Sequence, residues 1–329
     1  MTRTLAVGMG KRGKKWVRWA RAAGAQVVGI VDASPDALAA AGEELGFDSA
    51  RRFVTVDEAV AQLSPEAAVI CAPHHAHPVL VRTSLEQGLH VLVEKPLAQD
   101  MATARELVRL AQDKGLQLAV AQQYRYSEAV QRLRELVQDG AIGRLTSVLV
   151  QFFRWRPTEG MKLPILLNQA IHHFDGMRYI LDGDPLSCVA DLWDPGWNGC
   201  DGPTAVEATF RFPGGVRVHY SGSYVAKGPV TPFDAWWRFE GSGGQLVYDG
   251  ERTILCAPAG GAPSAIAVAP RKSDATVELC RDFLRSIETG VPAPTSGQAN
   301  LSTLAMVFAV ARSSDEGRRV RLAEVLEEA

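Results

Sequence analysis

The chain lacks the features that mark several large classes of protein. Its five cysteines are odd in number and scattered, with no Cys-x-x-Cys pair, so their spacing predicts neither a disulfide framework nor a zinc site. No apolar run approaches the length of a membrane-spanning helix, and the first residues lack the apolar stretch of a signal peptide. These absences predict a cytoplasmic protein that does not bind a membrane.

The chain also has no large excess of positive or negative charge. The 35 basic and 37 acidic residues leave a formal net charge of −2, so no basic field indicates a nucleic-acid partner. Hydrophobic residues make up 47% of the chain, as in ordinary globular proteins. A length of 329 residues favours two hydrophobic cores over one.

The first third of the sequence alternates short apolar strands with amphipathic helical patterns, such as Lys14–Ala23. The predicted strands are Thr4–Met9, Gln26–Asp32, Ala67–Ala72, His90–Val93 and Leu116–Ala121. Continuously apolar strands separated by helices are typical of a parallel sheet covered on both faces. We therefore predict that residues 1–122 form an α/β domain, a doubly wound Rossmann domain.

After Gly143 the pattern changes to consecutive strands joined by tight turns, with one helix predicted over Ile165–Leu181. The predicted strands are Leu145–Trp155, Ala205–Phe212, Val216–Tyr224, Ala235–Glu240, Gln245–Tyr248 and Thr253–Cys256. Short turns between strands favour antiparallel pairing. Residues 123–329 are therefore predicted to form an α+β domain with a large, mainly antiparallel open sheet, while the final helices, Ala275–Thr289 and Gln298–Ser314, pack back on the first domain.

A glycine-rich turn lies between the first predicted strand and the first helix. In Gly8-Met9-Gly10-Lys11-Arg12-Gly13, the glycines allow a tight turn, close approach of a pyrophosphate and close packing of helix on strand. Asp32 lies 24 residues after Gly8, at the end of the second strand, where a carboxylate binds the ribose hydroxyls of NAD. This context predicts NAD as the cofactor. NADP stays possible, because Lys11 or Arg12 could attract a 2′-phosphate.

Four further motifs occur in order along the chain. They are Cys71-Ala72-Pro73-His74-His75-Ala76-His77, Glu94-Lys95-Pro96, Gln122-Gln123-Tyr124-Arg125-Tyr126 and Asn168-Gln169-Ala170-Ile171-His172-His173-Phe174-Asp175. Together with the glycine-rich turn, they make the chain resemble the Gfo/Idh/MocA family, which includes glucose–fructose oxidoreductase and inositol dehydrogenase. The resemblance spans nearly the whole chain.

The resemblance implies roles for particular residues. Lys95 corresponds to the active-site lysine, followed by a cis Pro96, and His172 to the general acid/base. Asp175 matches the acid three residues later, whereas Asn168 stands where many members carry an aspartate that partners the histidine. On a helix, residues 168, 172 and 175 share one face. An imidazole can carry the proton, and an ammonium group can stabilise a developing alkoxide.

The sequence and the resemblance together give two sets of candidate binding residues. The cofactor set is Gly8, Gly10, Lys11, Arg12, Gly13, Asp32, Ala72, His74, His77, Glu94, Lys95 and Gln123. The substrate set is Lys95, Tyr124, Arg125, Trp155, Asn168, His172 and Asp175.

A metal site is not predicted, because three closely spaced histidines, His74, His75 and His77, cannot easily converge on one ion and no acidic or cysteine ligand lies beside them. Arg154 and Arg156 flank Trp155 on its predicted strand, where a solvated sheet face is the favoured interpretation and an anionic substrate group the other. The resemblance implies a homodimer or homotetramer formed through the C-terminal sheet.

The predicted function is reversible hydride transfer between NAD(H) and a secondary alcohol or ketone of a sugar, cyclitol or related polyol. Two alternatives stay open, because fold alone does not establish activity. One is a non-catalytic NAD-sensing or regulatory protein on the same fold, which Asn168 favours. The other is redox-neutral, NAD-dependent cleavage of glycosides.

Overall fold

The computed structural model describes residues 1–155, 164–197, 202–250, 253–270 and 273–327. The chain forms two compact units. The first comprises Met1–Gln122 and Ser273–Leu301, and the second comprises Gln123–Lys272 and Ser302–Ala329. Two residues lie outside the described ranges: Arg156, considered above as a residue that could bind an anionic substrate group, and Cys200, one of the five cysteines.

The first unit is built on a six-stranded sheet. Its strands are β1 (Arg3–Val7), β2 (Gln26–Val31), β3 (Arg52–Phe53), β4 (Ala67–Ile70), β5 (His90–Val93) and β6 (Leu118–Val120). Every pairing is parallel and the order is β3-β2-β1-β4-β5-β6, the strand order of a doubly wound dinucleotide-binding sheet. Strands β4 and β6 are buried at every residue, as expected of a sheet covered on both faces. The prediction of an α/β Rossmann fold is confirmed.

Helices follow the strands of this unit. They are α1 (Lys11–Ala23), α2 (Pro35–Leu45), α3 (Val56–Leu63), α4 (His77–Glu86), α5 (Met101–Asp113) and α8 (Ala275–Thr289). Capping defines their starts: the Ser34 hydroxyl accepts a hydrogen bond from the Ala37 amide, and Pro35 opens α2 as predicted. Helix α1 begins three residues earlier than predicted, directly after Gly10, so that Gly13 lies in its first turn.

The second unit contains a nine-stranded sheet. Its strands are β7 (Leu145–Phe153), β8 (Ser187–Trp193), β9 (Ala205–Arg211), β10 (Arg217–Ser223), β11 (Trp236–Gly241), β12 (Gly244–Tyr248), β13 (Thr253–Pro258), β14 (Ser264–Ala267) and β15 (Val320–Arg321). The order is β14-β13-β12-β11-β7-β10-β9-β8-β15, with antiparallel pairing everywhere except between β7 and β10. The predicted open, mainly antiparallel sheet is confirmed.

The helices of this unit are α6 (Glu128–Gln138), α7 (Ile171–Leu181) and α10 (Leu322–Glu327), while α9 (Gly297–Glu316) begins in the first unit and continues into the second. Helix α7 packs on one face of the sheet, where the Phe174 ring meets Phe210 and Tyr220 edge-on. The predicted helix Ile165–Leu181 is not α-helical throughout, because Leu166–Ala170 forms a π-helical turn. Such turns are rare and occur frequently at functional sites. In the described part of the chain, no helix is long and apolar enough to cross a membrane.

Candidate active site

The turn between β1 and α1 uses its three glycines for different steric reasons. Gly8 has a φ of 90°, and a Cβ on it would lie 2.5 Å from the Cys71 carbonyl oxygen. A Cβ on Gly13 would lie 1.7 Å from the Gly8 carbonyl oxygen, so a side chain there collides with the turn. Around Gly10, by contrast, a Cβ would meet no protein atom within 4 Å. Protein atoms therefore leave no room for a side chain at Gly8 or Gly13, whereas the space around Gly10 is unoccupied by protein. This free space fits close approach of a pyrophosphate.

The start of α1 is electropositive. No acidic residue lies in its first turn, which instead carries Lys11 and Arg12, and the helix dipole adds partial positive charge there. Arg12 forms an ion pair with Glu94. Glu94 is almost fully buried and also accepts a hydrogen bond from the Trp16 indole N–H at 2.9 Å. The structure thus places Glu94 against the protein's own donors, while Lys11 is exposed at the helix start.

Asp32 is fixed by the backbone at the carboxyl end of β2. Its Oδ2 accepts a hydrogen bond from the Met9 amide at 2.6 Å, and its Oδ1 accepts one from the Ser34 amide at 2.8 Å. Each oxygen retains a second lone pair. The carboxylate is therefore oriented in advance to receive hydroxyl donors from a ligand.

A cavity of about 840 Å³ lies beside Asp32. Its wall includes, besides Asp32, a second acidic side chain, a histidine and several apolar side chains: Asp57, His75, Val31, Val54, Val56, Ala72, Pro73, Ala76, Val79 and Leu80. The volume falls in the range of small-molecule and cofactor sites. Sequence reasoning missed His75 and Asp57; the βα-loop position of His75 is the signal that could have identified it. His74 opens the short 3₁₀ turn His74–Ala76, and its ring packs edge-on against that of His75.

Lys95 follows β5 at the carboxyl edge of the parallel sheet, where ligands bind in open α/β folds. The Lys95–Pro96 peptide bond is cis, as the resemblance implied. The ring of His77 lies between two backbone carbonyls, with Nδ1 2.7 Å from the Pro96 oxygen and Nε2 3.0 Å from the Ala72 oxygen. His77 is therefore buried between the turn after β4 and the turn after β5.

In the second unit, His172 is 3% exposed and its ring stacks on that of Tyr124, with centroids 4.5 Å apart and planes 18° apart. Tyr124 belongs to the 3₁₀ turn Gln123–Tyr126. Gln169, in the π-helical turn, donates hydrogen bonds from Nε2 to the Tyr124 hydroxyl at 3.0 Å and to the Phe233 carbonyl at 2.9 Å. Asn168 lies in the same turn and is half-buried. Sequence reasoning missed Gln169, because an α-helical reading gives no sign of the π turn.

His173, next to the candidate acid/base, is fully enclosed. Its Nε2 lies 2.9 Å from the Phe233 carbonyl, which can only accept, so Nε2 carries the hydrogen. Its Nδ1 lies 2.8 Å from the Tyr220 hydroxyl, which therefore donates to it. Burial lowers the pKa of His173 to about 4, despite the opposing bond to Phe233. His173 is a neutral residue that joins α7 to the sheet.

The pKa of His173 predicts how stability depends on pH. Between about pH 6.5 and about pH 4, the unfolded chain protonates this histidine and the folded protein does not, so the free energy of unfolding falls as pH falls through this window. The contribution is on the order of 3 kcal/mol. His173→Gln should lose less stability than wild type between about pH 7.5 and about pH 4.5 in urea titrations. His75→Gln, at an exposed histidine, should behave as wild type without cofactor. Equal losses in wild type and His173→Gln would contradict the assignment.

Arg125 and Asp175, both predicted to bind substrate, bind each other. Arg125 donates from Nε to Oδ2 at 2.5 Å and from Nη2 to Oδ1 at 2.8 Å, and Asp175 is 2% exposed. The Thr303 hydroxyl also donates to Asp175, at 3.0 Å. A paired, hydrogen-bonded carboxylate of this kind holds the helix that carries His172. Direct substrate contact by either residue stays a prediction.

Trp155 is 45% exposed, just beyond β7. The Lys227 ammonium lies 5.4 Å from the centroid of its ring and 5.9 Å from that of Trp197, within cation–π distance of both. Among the described residues, no group of three or more histidine, cysteine or acidic side chains is arranged to hold a metal ion.

The first unit has a doubly wound sheet with a glycine-rich turn after β1 and a carboxylate at the end of β2, and the second unit has a buried histidine. This arrangement is typical of NAD-dependent oxidoreductases. Residues 2–122 match the model described as "Oxidoreductase family, NAD-binding Rossmann fold" of GFO_IDH_MocA, and residues 130–247 match the GFO/IDH/MocA C-terminal domain. The chain belongs to the Gfo/Idh/MocA family of oxidoreductases.

Two relatives are similar to this chain over nearly its whole length, and a solved structure shares its fold. The 1,5-anhydro-D-fructose reductase of Ensifer adhaerens is 25% identical, covering 98% of this chain and 99% of that protein. The inositol 2-dehydrogenase of Rhizobium meliloti is 25% identical, covering 92% and 93%. An oxidoreductase from Agrobacterium radiobacter, solved with NAD+, L-tartaric acid and magnesium, has a TM-score of 0.88 at 20% identity, covering 98% and 99%.

Proposed function

We propose that the protein catalyses reversible hydride transfer between NAD(H) and a secondary alcohol or ketone of a sugar, a cyclitol or a related polyol. The observation that carries the proposal is that the chain has two side chains suited to the reaction: Lys95, at the carboxyl edge of the parallel sheet, and His172, a buried histidine of the second unit. The relatives named for anhydrofructose reduction and inositol oxidation support the substrate class.

A bound nicotinamide cofactor would supply the hydride acceptor for oxidation and the hydride donor for reduction. The protein's own part is to manage the proton and the charge on the reacting oxygen. His172, neutral at the start of oxidation, takes the hydroxyl proton on an imidazole nitrogen, while the Tyr124 ring keeps the imidazole plane in place. The Lys95 ammonium stabilises the negative charge that develops on that oxygen. Asn168 is uncharged, so it cannot stabilise a protonated His172 as an aspartate would.

The adenosine half of the cofactor is assigned to the cavity beside Asp32, with the pyrophosphate at Gly10 and the start of α1. Two observations favour NAD over NADP. Asp32 and Asp57 would both repel a 2′-phosphate, and Arg12, one of the two cations at the start of α1 that could attract it, is paired with Glu94.

Asp32→Ala should test this preference. We expect NADH affinity to fall about tenfold or more, because the ribose hydroxyls lose a charged acceptor, and NADPH affinity to rise. Isothermal titration with both cofactors gives the ratio. Asp57→Asn is the control, since it removes a charge from the same cavity without releasing the Met9 and Ser34 amides. Wild-type protein that binds NADPH more tightly than NADH would contradict the NAD assignment.

A panel of sugars, inositols and amino sugars, assayed with NAD+ for the appearance of NADH, tests the reaction itself. The proposal requires NADH formed in proportion to ketone. Glycoside cleavage without net NADH would identify the redox-neutral alternative. Tight NADH binding with no conversion of any substrate would identify the regulatory alternative.

For assembly, we propose a homodimer or homotetramer formed through the sheet of the second unit. Strand register aligns one row of residues on a single face of this sheet: Val189, Thr209, His219, Leu149, Arg238, Val247 and Leu255. Val189 and Leu255 in that row are 40% and 41% exposed, which supports burial by another copy. Sedimentation equilibrium that gives a monomer mass at all concentrations would refute the assembly.

A further inference from the structure

One imidazole in the first unit joins two turns that the proposed function uses separately. His77 is the first residue of α4 and is 1% exposed. Its Nδ1 contacts the carbonyl of Pro96, the residue after Lys95, and its Nε2 contacts the carbonyl of Ala72, which lines the cofactor cavity. The two turns follow adjacent parallel strands, β4 and β5.

The two contacts are not equivalent. Both partners are carbonyl oxygens, which only accept hydrogen bonds, whereas a neutral imidazole carries a single N–H. Burial lowers the pKa of His77, against the raising effects of the two carbonyls and Glu94, which favours the neutral ring. The Nδ1 contact with Pro96 is the shorter, at 2.7 Å against 3.0 Å. The single N–H is therefore assigned to Nδ1 and donates to Pro96.

We propose that His77 is a positioning residue for Lys95. The Nδ1–H bond to the Pro96 carbonyl fixes the turn that presents the lysine, and the Nε2 side of the ring rests on the cavity wall at Ala72. This inference rests on the proposed role of Lys95. Displacement of a reacting group by about 1 Å can cost about 100-fold in rate, so loss of this bond should act on catalysis before it acts on cofactor affinity.

Three substitutions separate the two contacts. An asparagine amide nitrogen occupies roughly the place of Nδ1, and a glutamine amide nitrogen that of Nε2. His77→Asn should keep the bond to Pro96 and lower kcat by less than about 3-fold. His77→Gln should keep only the Ala72 contact and lower kcat by about 10- to 100-fold, with NADH affinity close to wild type. His77→Phe keeps a ring without a donor and should lose kcat as His77→Gln does.

A second readout does not depend on turnover. After reductive methylation with ¹³C, the Lys95 methyl resonance, identified by its absence in Lys95→Arg, reports the surroundings of the amine. It should shift in His77→Gln and His77→Phe and stay near its wild-type position in His77→Asn. Equal losses of kcat in the asparagine and glutamine variants, or equal Lys95 resonances in both, would overturn the positioning role. A wild-type protein that oxidises no substrate but shows the predicted resonance pattern would refute the proposed function and leave the positioning role standing.

Discussion

Lys95→Met and His172→Gln should each lower kcat by about 10²- to 10⁴-fold while changing NADH affinity by less than about 3-fold. Methionine keeps most of the lysine's length without its charge, so a developing alkoxide loses its stabilising cation. Glutamine keeps polarity at a position that is 3% exposed but cannot exchange a proton near neutral pH. Cofactor affinity is expected to persist, because the adenosine and pyrophosphate contacts are assigned to other residues.

Matched controls exist for both substitutions. Lys114→Met removes a lysine at the end of α5, and His90→Gln removes a histidine at the start of β5, at the opposite end of that strand from Lys95, so neither should change kcat. The measurement is steady-state kinetics on one substrate, with NADH affinity from fluorescence titration. Turnover close to wild type in Lys95→Met or His172→Gln would remove that residue from the mechanism.

Alanine substitutions at Gly13 and Gly10 should separate the effect of the first turn on stability from its effect on cofactor binding. Gly13→Ala places a Cβ 1.7 Å from the Gly8 carbonyl oxygen and should cost about 3 kcal/mol or more of unfolding free energy, because backbone must move. The Cβ of Gly10→Ala meets no protein atom within 4 Å, so its cost should be only about 1 kcal/mol, the typical loss when alanine takes a helix N-cap position. Its NADH affinity should nevertheless fall about tenfold or more, since the methyl group occupies the space assigned to the pyrophosphate.

Thermal unfolding without cofactor, followed by calorimetric titration with NADH, measures the two effects on each protein. The contrast between the variants is the informative quantity, since both exchange glycine for alanine. If Gly10→Ala binds NADH as tightly as wild type, the pyrophosphate lies elsewhere and the cofactor assignment of this turn is wrong.

The parts of the fold that the sequence predicts are those with a local signal. Continuous apolar runs predict the buried parallel strands, and Gly241 to Gly244 predicts the hairpin between β11 and β12. Strands β3, β8, β14 and β15 escaped prediction. Strands β3 and β15 have only two residues each, β14 is largely exposed, and no residue of β8 after Cys188 is buried, so none of them carries a strong hydrophobic pattern. Ala235 was expected to open β11, but its φ of 70° lies outside the extended region, and the strand begins at Trp236.

The residues of the candidate site also divide into those with a local sequence signal and those without one. The glycine turn and Asp32 can be predicted from the sequence, because these residues are close together in the chain and each has a steric or electrostatic reason for its position. The Arg125–Asp175 pair joins residues 50 positions apart, so no local sequence pattern predicts it. The tautomer of His173 depends on the Phe233 carbonyl and the Tyr220 hydroxyl, which only the folded chain brings together.

Because Leu166–Ala170 forms a π-helical turn, the number of residues in this segment helps to determine the geometry of the site. A π turn is equivalent to one residue inserted into an α-helix, and each residue of an α-helix advances the face by about 100°. Deleting one residue from this turn would restore a regular helix and swing Gln169 away from the Tyr124 hydroxyl, although every residue with an assigned role would still be present. Substitution scanning cannot detect such a dependence. In this helix, spacing is under constraint as well as identity, and single-residue deletions are the mutations that expose it.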